Sequence, residues 1–136
     1  MQKLNILYVD DDASSRLMLT SILEDIGYKV IAVEDSPDAL DLLEGAPFDL
    51  ILLSYQLLEM TGAELAREIR GIYPHAPIVL LSGEAVLSAK DLLYVDAYCV
   101  EGTTLDELVL TIEGTIPRVL TPGNYAGSSG VWASST

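Results

Sequence analysis

The sequence predicts an α/β domain in which a doubly wound, five-stranded parallel sheet is sandwiched between two layers of helices. Three observations predict it. Apolar runs of strand length alternate five times with amphipathic segments of helix length, which is the pattern of parallel strands joined by helical crossovers. The third run, Phe48-Asp49-Leu50-Ile51-Leu52-Leu53, is apolar on both faces, as a central strand covered on each side must be. The chain has 136 residues, 50% of them hydrophobic, enough for one well-buried core and too few for two domains.

The elements follow in order. Leu4 to Val9 reads as the first strand and stops at Asp10-Asp11-Asp12. A helix from about Ser14 to Ile26 ends at Gly27, with Ser14 and Ser15 as its capping residues and Leu17, Leu19, Ile22, Leu23 and Ile26 as the stripe expected to face the sheet. Tyr28 to Val33 is the second strand. Ser36-Pro37 opens the second helix, since serine caps free amides and proline fits the first turn, and the helix runs through Leu40, Leu42 and Leu43 to Gly45. After the third strand comes a loop from Ser54 to Thr61, then a helix that begins after Gly62 and carries Leu65, Ala66 and Ile69. Pro74 and Pro77 bracket the turn into the fourth strand, Ile78 to Leu81. A short fourth helix is expected over Ala85 to Leu93 and a fifth strand over Ala97 to Val100. Thr104-Leu105-Asp106-Glu107 has the spacing of a capping box opening a last helix that fades near Gly114. The domain is therefore expected to span residues 1–118. Residues 119–136 read as a flexible tail, because Thr121 to Thr136 has neither charge nor apolar periodicity; Trp132, the chain's single tryptophan, is the one residue that argues for docking instead.

Seven Lys and Arg against 21 Asp and Glu give a formal charge of −14, a field that repels phosphate backbones and anionic lipid. Nucleic acid and membrane are thereby excluded as expected partners. The single cysteine, Cys99, allows no internal disulfide. The start Met1-Gln2-Lys3-Leu4-Asn5 lacks a signal peptide's basic character, and no apolar run reaches the roughly 18 residues that span a bilayer, so a soluble cytoplasmic protein is expected.

In an open parallel sheet, ligands gather at the carboxyl ends of the strands, where loops and helix N-termini converge. Those ends are Asp10 and Asp11, Ser54, Ser82 and Glu101, and the five are predicted to share one pocket. His75, in the turn Tyr73-Pro74-His75-Ala76-Pro77, has no partner spacing for metal and reads as a solvated loop residue, while Arg16 and Arg67 read as partners of surface acids.

Several separate motifs occur in the same order as in a known family: Ile6-Leu7-Tyr8-Val9-Asp10-Asp11-Asp12 with Arg16, Asp49-Leu50-Ile51-Leu52-Leu53, Met60-Thr61-Gly62-Ala63-Glu64-Leu65, and Pro77-Ile78-Val79-Leu80-Leu81-Ser82. Over about residues 3 to 118 the chain resembles a CheY-like receiver domain of two-component response regulators, with a flavodoxin-like (βα)5 fold. The resemblance implies phosphorelay chemistry: an aspartate phosphorylated from a histidine kinase, two acids helping to hold magnesium, a hydroxyl and a lysine on the phosphoryl group, and an aromatic that reports the switch. Asp10 and Asp11 match the acidic pair, Ser82 the hydroxyl and Tyr98 the aromatic. The phosphoacceptor position, however, is Ser54, and the Lys-Pro pair is Glu101-Gly102; Leu58 stands where a proline is usual.

A phosphohistidine can transfer directly to a carboxylate, whereas an alcohol without a neighbouring base is a weak nucleophile. Asp49 lies five residues before Ser54, too far along the strand to substitute, and Glu59 is an unpositioned loop side chain. Asp10, Asp11 and Glu101 would also crowd three carboxylates with no cation, each pair repelling by about 3 kcal/mol at about 5 Å and an effective dielectric of 20. Three arrangements relieve this: Glu101 turned to solvent, a proton retained on one carboxyl, or a bound divalent cation such as magnesium. The expected function is therefore an atypical receiver that is not an enzyme and needs no cofactor. It would meet a signalling kinase or output target, or a second copy, through the surface of its fourth helix, fifth strand and fifth helix around Leu87 to Thr111, where Leu87, Leu92, Leu93, Tyr94 and Leu108 offer apolar area. The alternatives are a conventional receiver with a displaced acceptor and a small metal-dependent phosphoryl-transfer enzyme.

Overall fold

All five predicted strands form: β1 (Asn5–Val9), β2 (Lys29–Val33), β3 (Leu50–Ser54), β4 (Ile78–Ser82) and β5 (Ala97–Val100), parallel throughout and ordered β2-β1-β3-β4-β5. They come from a computed structural model that describes residues 3–83, 87–100 and 102–116. The intervening helices are α1 (Ala13–Ile26), α2 (Ser36–Gly45), α3 (Gly62–Ile72), α4 (Ala89–Leu92) and α5 (Leu105–Thr115). Among the described residues no helix is long and apolar enough to cross a membrane.

Strand alternation divides the core in two. Ile6, Tyr8, Leu50, Leu52, Val79 and Leu81 face α1 and α5, meeting Leu23, Leu108 and Ile112. Leu7, Val9, Ile51, Leu53, Ile78 and Leu80 face the other way, against Ala39 of α2 and Leu65, Ala66 and Ile69 of α3. Every residue of β3 and β4 is buried, as the apolar runs require of strands covered on both faces. Since β2 lies on one side of β1 and β3 on the other, the chain changes direction between β1 and β3, and a crevice opens at their carboxyl ends.

Several local expectations are corrected. Asp12, not Ser14 or Ser15, caps α1, because its side chain reaches the Ser15 amide. Asp35 caps α2 and leaves Ser36 as a buried first residue. The complete capping box belongs to Thr61 and Glu64 at α3 (Thr61 N–H to Glu64 Oε1, 3.0 Å; Glu64 N–H to Thr61 Oγ1, 3.1 Å), whereas at α5 the hydrogen bond is Glu107 N–H to Thr104 Oγ1. Of the stripe assigned to α1, Leu23 is buried and Leu19 packs on the core, but Leu17 and Ile26 are exposed. α4 is shorter than expected and capped by Ser88; residues 84–86, where its predicted start falls, lie outside the described residues, as do Glu101 and the whole of 119–136.

Candidate functional site

The crevice is a hollow of about 360 Å³ at the ends of β1, β3 and β4, lined among others by Asp10, Asp11, Asp12, Ser54, Gln56 and Gly83. It joins Asp10, Asp11 and Ser54, as the strand ends predict. Ser82 is fully buried and is not part of the lining, where Leu81 and Gly83 appear instead. Alternation gives the reason: Ser82 shares a strand face with Ile78 and Leu80, on the α3 side, while Asp10 and Ser54 share theirs with Tyr8 and Leu52, on the α1 side. Tyr98, opposite Leu80 on edge strand β5, is part-exposed and outside the lining. Glu101 lies outside the described residues, so its place relative to the acids is not part of this geometry.

Asp10 is held from several directions. Buried at 5% exposure, its carboxylate accepts the Tyr8 hydroxyl on Oδ2 at 2.6 Å and the Asp12 amide on Oδ1 at 3.0 Å. Its carbonyl accepts Arg16 Nη1 at 2.7 Å, and its own amide bonds the Val33 carbonyl at 3.1 Å. The Tyr8 contact is the one the sequence reading missed, although residues two apart on a strand share a face and the pair was visible on that ground. Arg16, expected to pair with surface acids, donates to this main-chain carbonyl and also favours the ionised form of the exposed Asp12. Asp12 caps α1 by accepting both the amide and the hydroxyl of Ser15, at 2.8 and 2.7 Å, and these bonds, aided by Arg16, hold its carboxyl below the usual range. Ser15 is thereby occupied as a capping partner.

At the third strand end Ser54 is nearly buried, and its hydroxyl donates a long hydrogen bond of 3.4 Å to the Gln56 carbonyl. The loop beyond it folds back tightly: Gln56 bridges Thr61, the Leu57 amide bonds the Met60 carbonyl at 3.2 Å, and the Gly62 amide bonds the Tyr55 carbonyl at 2.6 Å. Gly62 is required there, since a Cβ would run into the Ser54 carbonyl oxygen and Leu80 Cδ1. The Tyr55 hydroxyl reaches Asp91 of α4 at 3.3 Å, tying this loop to the neighbouring helix. Glu59 is not in the lining of the acid hollow; it lines a separate small hollow with Asp35, Ser36 and Pro37. Asp49 is also accounted for elsewhere, its Oδ2 accepting the Asn5 amide at 2.7 Å and joining the starts of β1 and β3.

Asp10 and Asp11 are the residues that would hold a magnesium ion at this hollow, and the hydrogen bonds on Asp10 limit what it can offer one. Three carboxylates, Asp10, Asp11 and Asp12, line the hollow beside the alcohol of Ser54, and Asp10 already accepts a hydrogen bond on each oxygen. Asp12 is engaged by Ser15, and no cluster of three or more His, Cys, Asp or Glu suited to a metal occurs among the described residues.

The expected interaction surface differs in detail. Leu108 is buried against the core, and Leu87 and Tyr94 pack inward, whereas among the described residues Leu93, 67% exposed, and Tyr98, 41% exposed, are open to solvent, as are Leu105 and Leu110 of α5.

Comparison with known proteins agrees with this architecture. Residues 6–98 match the model of the response regulator receiver domain. The chain is 31% identical over 124 residues to the transcriptional regulatory protein ZraR of Salmonella typhimurium, covering 89% of this chain and 28% of ZraR. It is 42% identical over 83 residues to the cyclic di-GMP phosphodiesterase response regulator RpfG of Xanthomonas campestris, covering 58% of this chain and 22% of RpfG. The chain thus spans less than a third of the length of these curated relatives. Among solved structures it superposes on the response regulator TrrA of Thermotoga maritima in complex with Mg2+-BeF, with a TM-score of 0.78, 29% identity and coverage of 83% of this chain and 99% of TrrA. CheY4 of Vibrio cholerae gives a TM-score of 0.76 at 27% identity, covering 85% of this chain and 100% of CheY4.

Proposed function

The chain belongs to the response regulator receiver domain family of two-component signalling, and we propose that it is an atypical member that recognises protein partners without accepting a phosphoryl group at the end of β3. The observation that supports this reading is the alcohol of Ser54 at that end, in a hollow whose lining, among the described residues, contains neither histidine nor lysine. An aspartate there would offer an oxygen nucleophile already ionised; a serine needs a base to take its proton, and the Ser54 hydroxyl points that proton at a main-chain carbonyl, which is no base. Asp10, the nearby acid with the most fixed geometry, accepts the tyrosine and amide bonds that hold it in place.

With covalent control removed, the balance of conformations is set by the sequence itself and by what binds. Magnesium is dispensable in this reading; Asp10 and Asp11 would be its ligands, and it would bind weakly. TrrA was solved in complex with the histidine kinase ThkA, and a kinase or an output module is the partner class proposed here. The surface proposed to meet it is that of α4, β5 and α5, through Leu93 and Tyr98, which also serves a second copy of the chain if one binds. A fixed-partner screen tests the reading: capture of a cognate kinase or output module is expected to be unchanged by Ser54→Ala and lost with Leu93→Asp or Tyr98→Asp, both exposed positions whose replacement leaves the core intact. Loss of capture with Ser54→Ala in a folded protein would contradict it.

A further inference from the structure

A notch of about 100 Å³, separate from the acid hollow, lies where the loop after β3 meets the start of α2. Asp35, Ser36 and Pro37 line it from the α2 entry, and Leu57, Leu58 and Glu59 from the loop. Its size falls well below the roughly 300–1,000 Å³ of sites that enclose a small-molecule ligand, and suits the end of one long side chain. Leu57 packs on the core while Leu58 is 78% exposed, so the loop side of the notch is carbon both inside and at the rim. Ser36 is 8% exposed, yet its hydroxyl makes no hydrogen bond among the described residues. A buried hydroxyl normally has a partner, and this one borders a hollow that can admit it.

The charge around the notch has one sign. From residue 30 to residue 66 the sequence carries eight Asp and Glu and none of its seven Lys and Arg. The ion pair found among the described residues, Arg70–Asp96, lies at the other end of the strands. A helix N-terminus carries about half a positive charge, which ordinarily holds a first-turn carboxyl such as that of Asp38 low. Asp38 is instead raised, first by the charge of Asp35, then by desolvation and by the charges of Asp41 and Glu34. The carboxylates thus outweigh the helix dipole at this place, and the local field favours a cation.

We propose that the notch seats a lysine or arginine side chain from a basic segment of a partner protein, its methylene stem against Leu57 and Leu58 and its charged head beside Asp35 and Glu59. Asp35 accepts the Asp38 amide on Oδ1 at 3.0 Å and keeps further acceptor capacity as a carboxylate. The Ser36 hydroxyl accepts an N–H of the same head. Exposed Leu58, and Asp38, Asp41 and Glu44 exposed along α2, extend the surface beyond one head group, which selects a polypeptide over a free amine. A second copy carries −14 itself and is repelled. None of these residues belongs to the surface around Leu93 and Tyr98, so the two contacts are tested by different variants.

The probe is a capped peptide with an arginine between two leucines, and its control is the same peptide with neutral citrulline. Each is titrated into the full chain at low salt and followed by amide nuclear magnetic resonance. The arginine peptide is expected to shift the amides of Ser36, Leu58 and Glu59, saturating near the millimolar range, and the citrulline peptide to leave them in place. Glu59→Gln and Leu58→Ser, at exposed loop positions, are each expected to weaken binding about threefold, the scale of one exposed contact, with the rest of the spectrum unchanged. Four results would overturn the proposal: equal shifts with the citrulline peptide; shifts spread over the whole acidic surface that neither variant alters; shifts as strong with methylguanidinium alone, which would assign the notch to a free cation; or the same shifts on concentrating the chain without peptide, which would assign it to a second copy.

Discussion

Asp12 joins the acid hollow to the first helix, and its ionisation is a measurable part of the fold. The two bonds from Ser15 lower its carboxyl from the ordinary 3.8, so the cap stabilises the native state above that pH and is lost as pH falls through the lower folded value. Asp12→Asn retains an acceptor oxygen but has no charge to lose. Its stability deficit against wild type, followed by urea midpoints from neutral pH downward, is expected to be constant to about pH 4 and to close below 3.8; a deficit that stays constant through that range would contradict the assignment. Gly62 offers the steric counterpart. Gly62→Ala drives a methyl into the Ser54 carbonyl and is expected to cost about 1–3 kcal/mol in equilibrium unfolding, with the largest amide shifts at Ser54 and Tyr55. Both residues stood out in the sequence, but their roles were hidden. Asp12 and Ser15 are equally good capping types, and only the backbone geometry decides which of them caps and which donates. Gly62 reads as a generic helix opening until the loop is seen folding back on β3.

At the scale of elements, the far end of the sheet is held by one side chain. Arg70, in the last turn of α3, donates to the carbonyls of Pro74, Ala76 and Tyr94 at 3.0, 2.6 and 3.0 Å and to Asp96 Oδ2 at 2.9 Å. The same Asp96 oxygen accepts the Ile78 amide at 2.8 Å, so α3, β4 and the entry to β5 share one network. Arg70→Ala is expected to destabilise the domain by about 2 kcal/mol, the scale of charged hydrogen bonds discounted for partial exposure, and to speed hydrogen exchange at the Ile78 amide. Arg70→Lys is expected to recover little, because a single ammonium cannot reach carbonyls lying in several directions. Nothing in the sequence marks Arg70, since it acts on main-chain carbonyls that only the tertiary fold assembles. The strands were legible for the opposite reason: an apolar run bounded by Gly, Pro or Asp is a local signal. α1 falls between the two. Leu17, Met18, Leu19, Ile22, Leu23 and Ile26 surround more than one face, so periodicity alone could not say that Leu23 faces the sheet and Leu17 the solvent.

On the scale of the whole molecule, the order of strands explains why three distant segments meet. With β1 and β3 adjacent and β2 displaced to the other side, the ends that carry Asp10, Asp11 and Ser54 converge at the crevice between them, and this much followed from the sequence once a doubly wound sheet was inferred. What could not be read was side-chain direction at the strand ends, where Ser82 turns out to be buried, and the commitment of Asp10 to Tyr8. The architecture is that of a receiver, and the residue at the end of β3 is a serine, which the proposed function takes as an alcohol standing where a phosphoacceptor would be. The most direct test is intact-mass measurement of the full chain after incubation with acetyl phosphate and magnesium. The account predicts the mass of the unmodified polypeptide, with no change beyond that of a Ser54→Ala control; a gain of one phosphoryl group in the wild-type chain would contradict it.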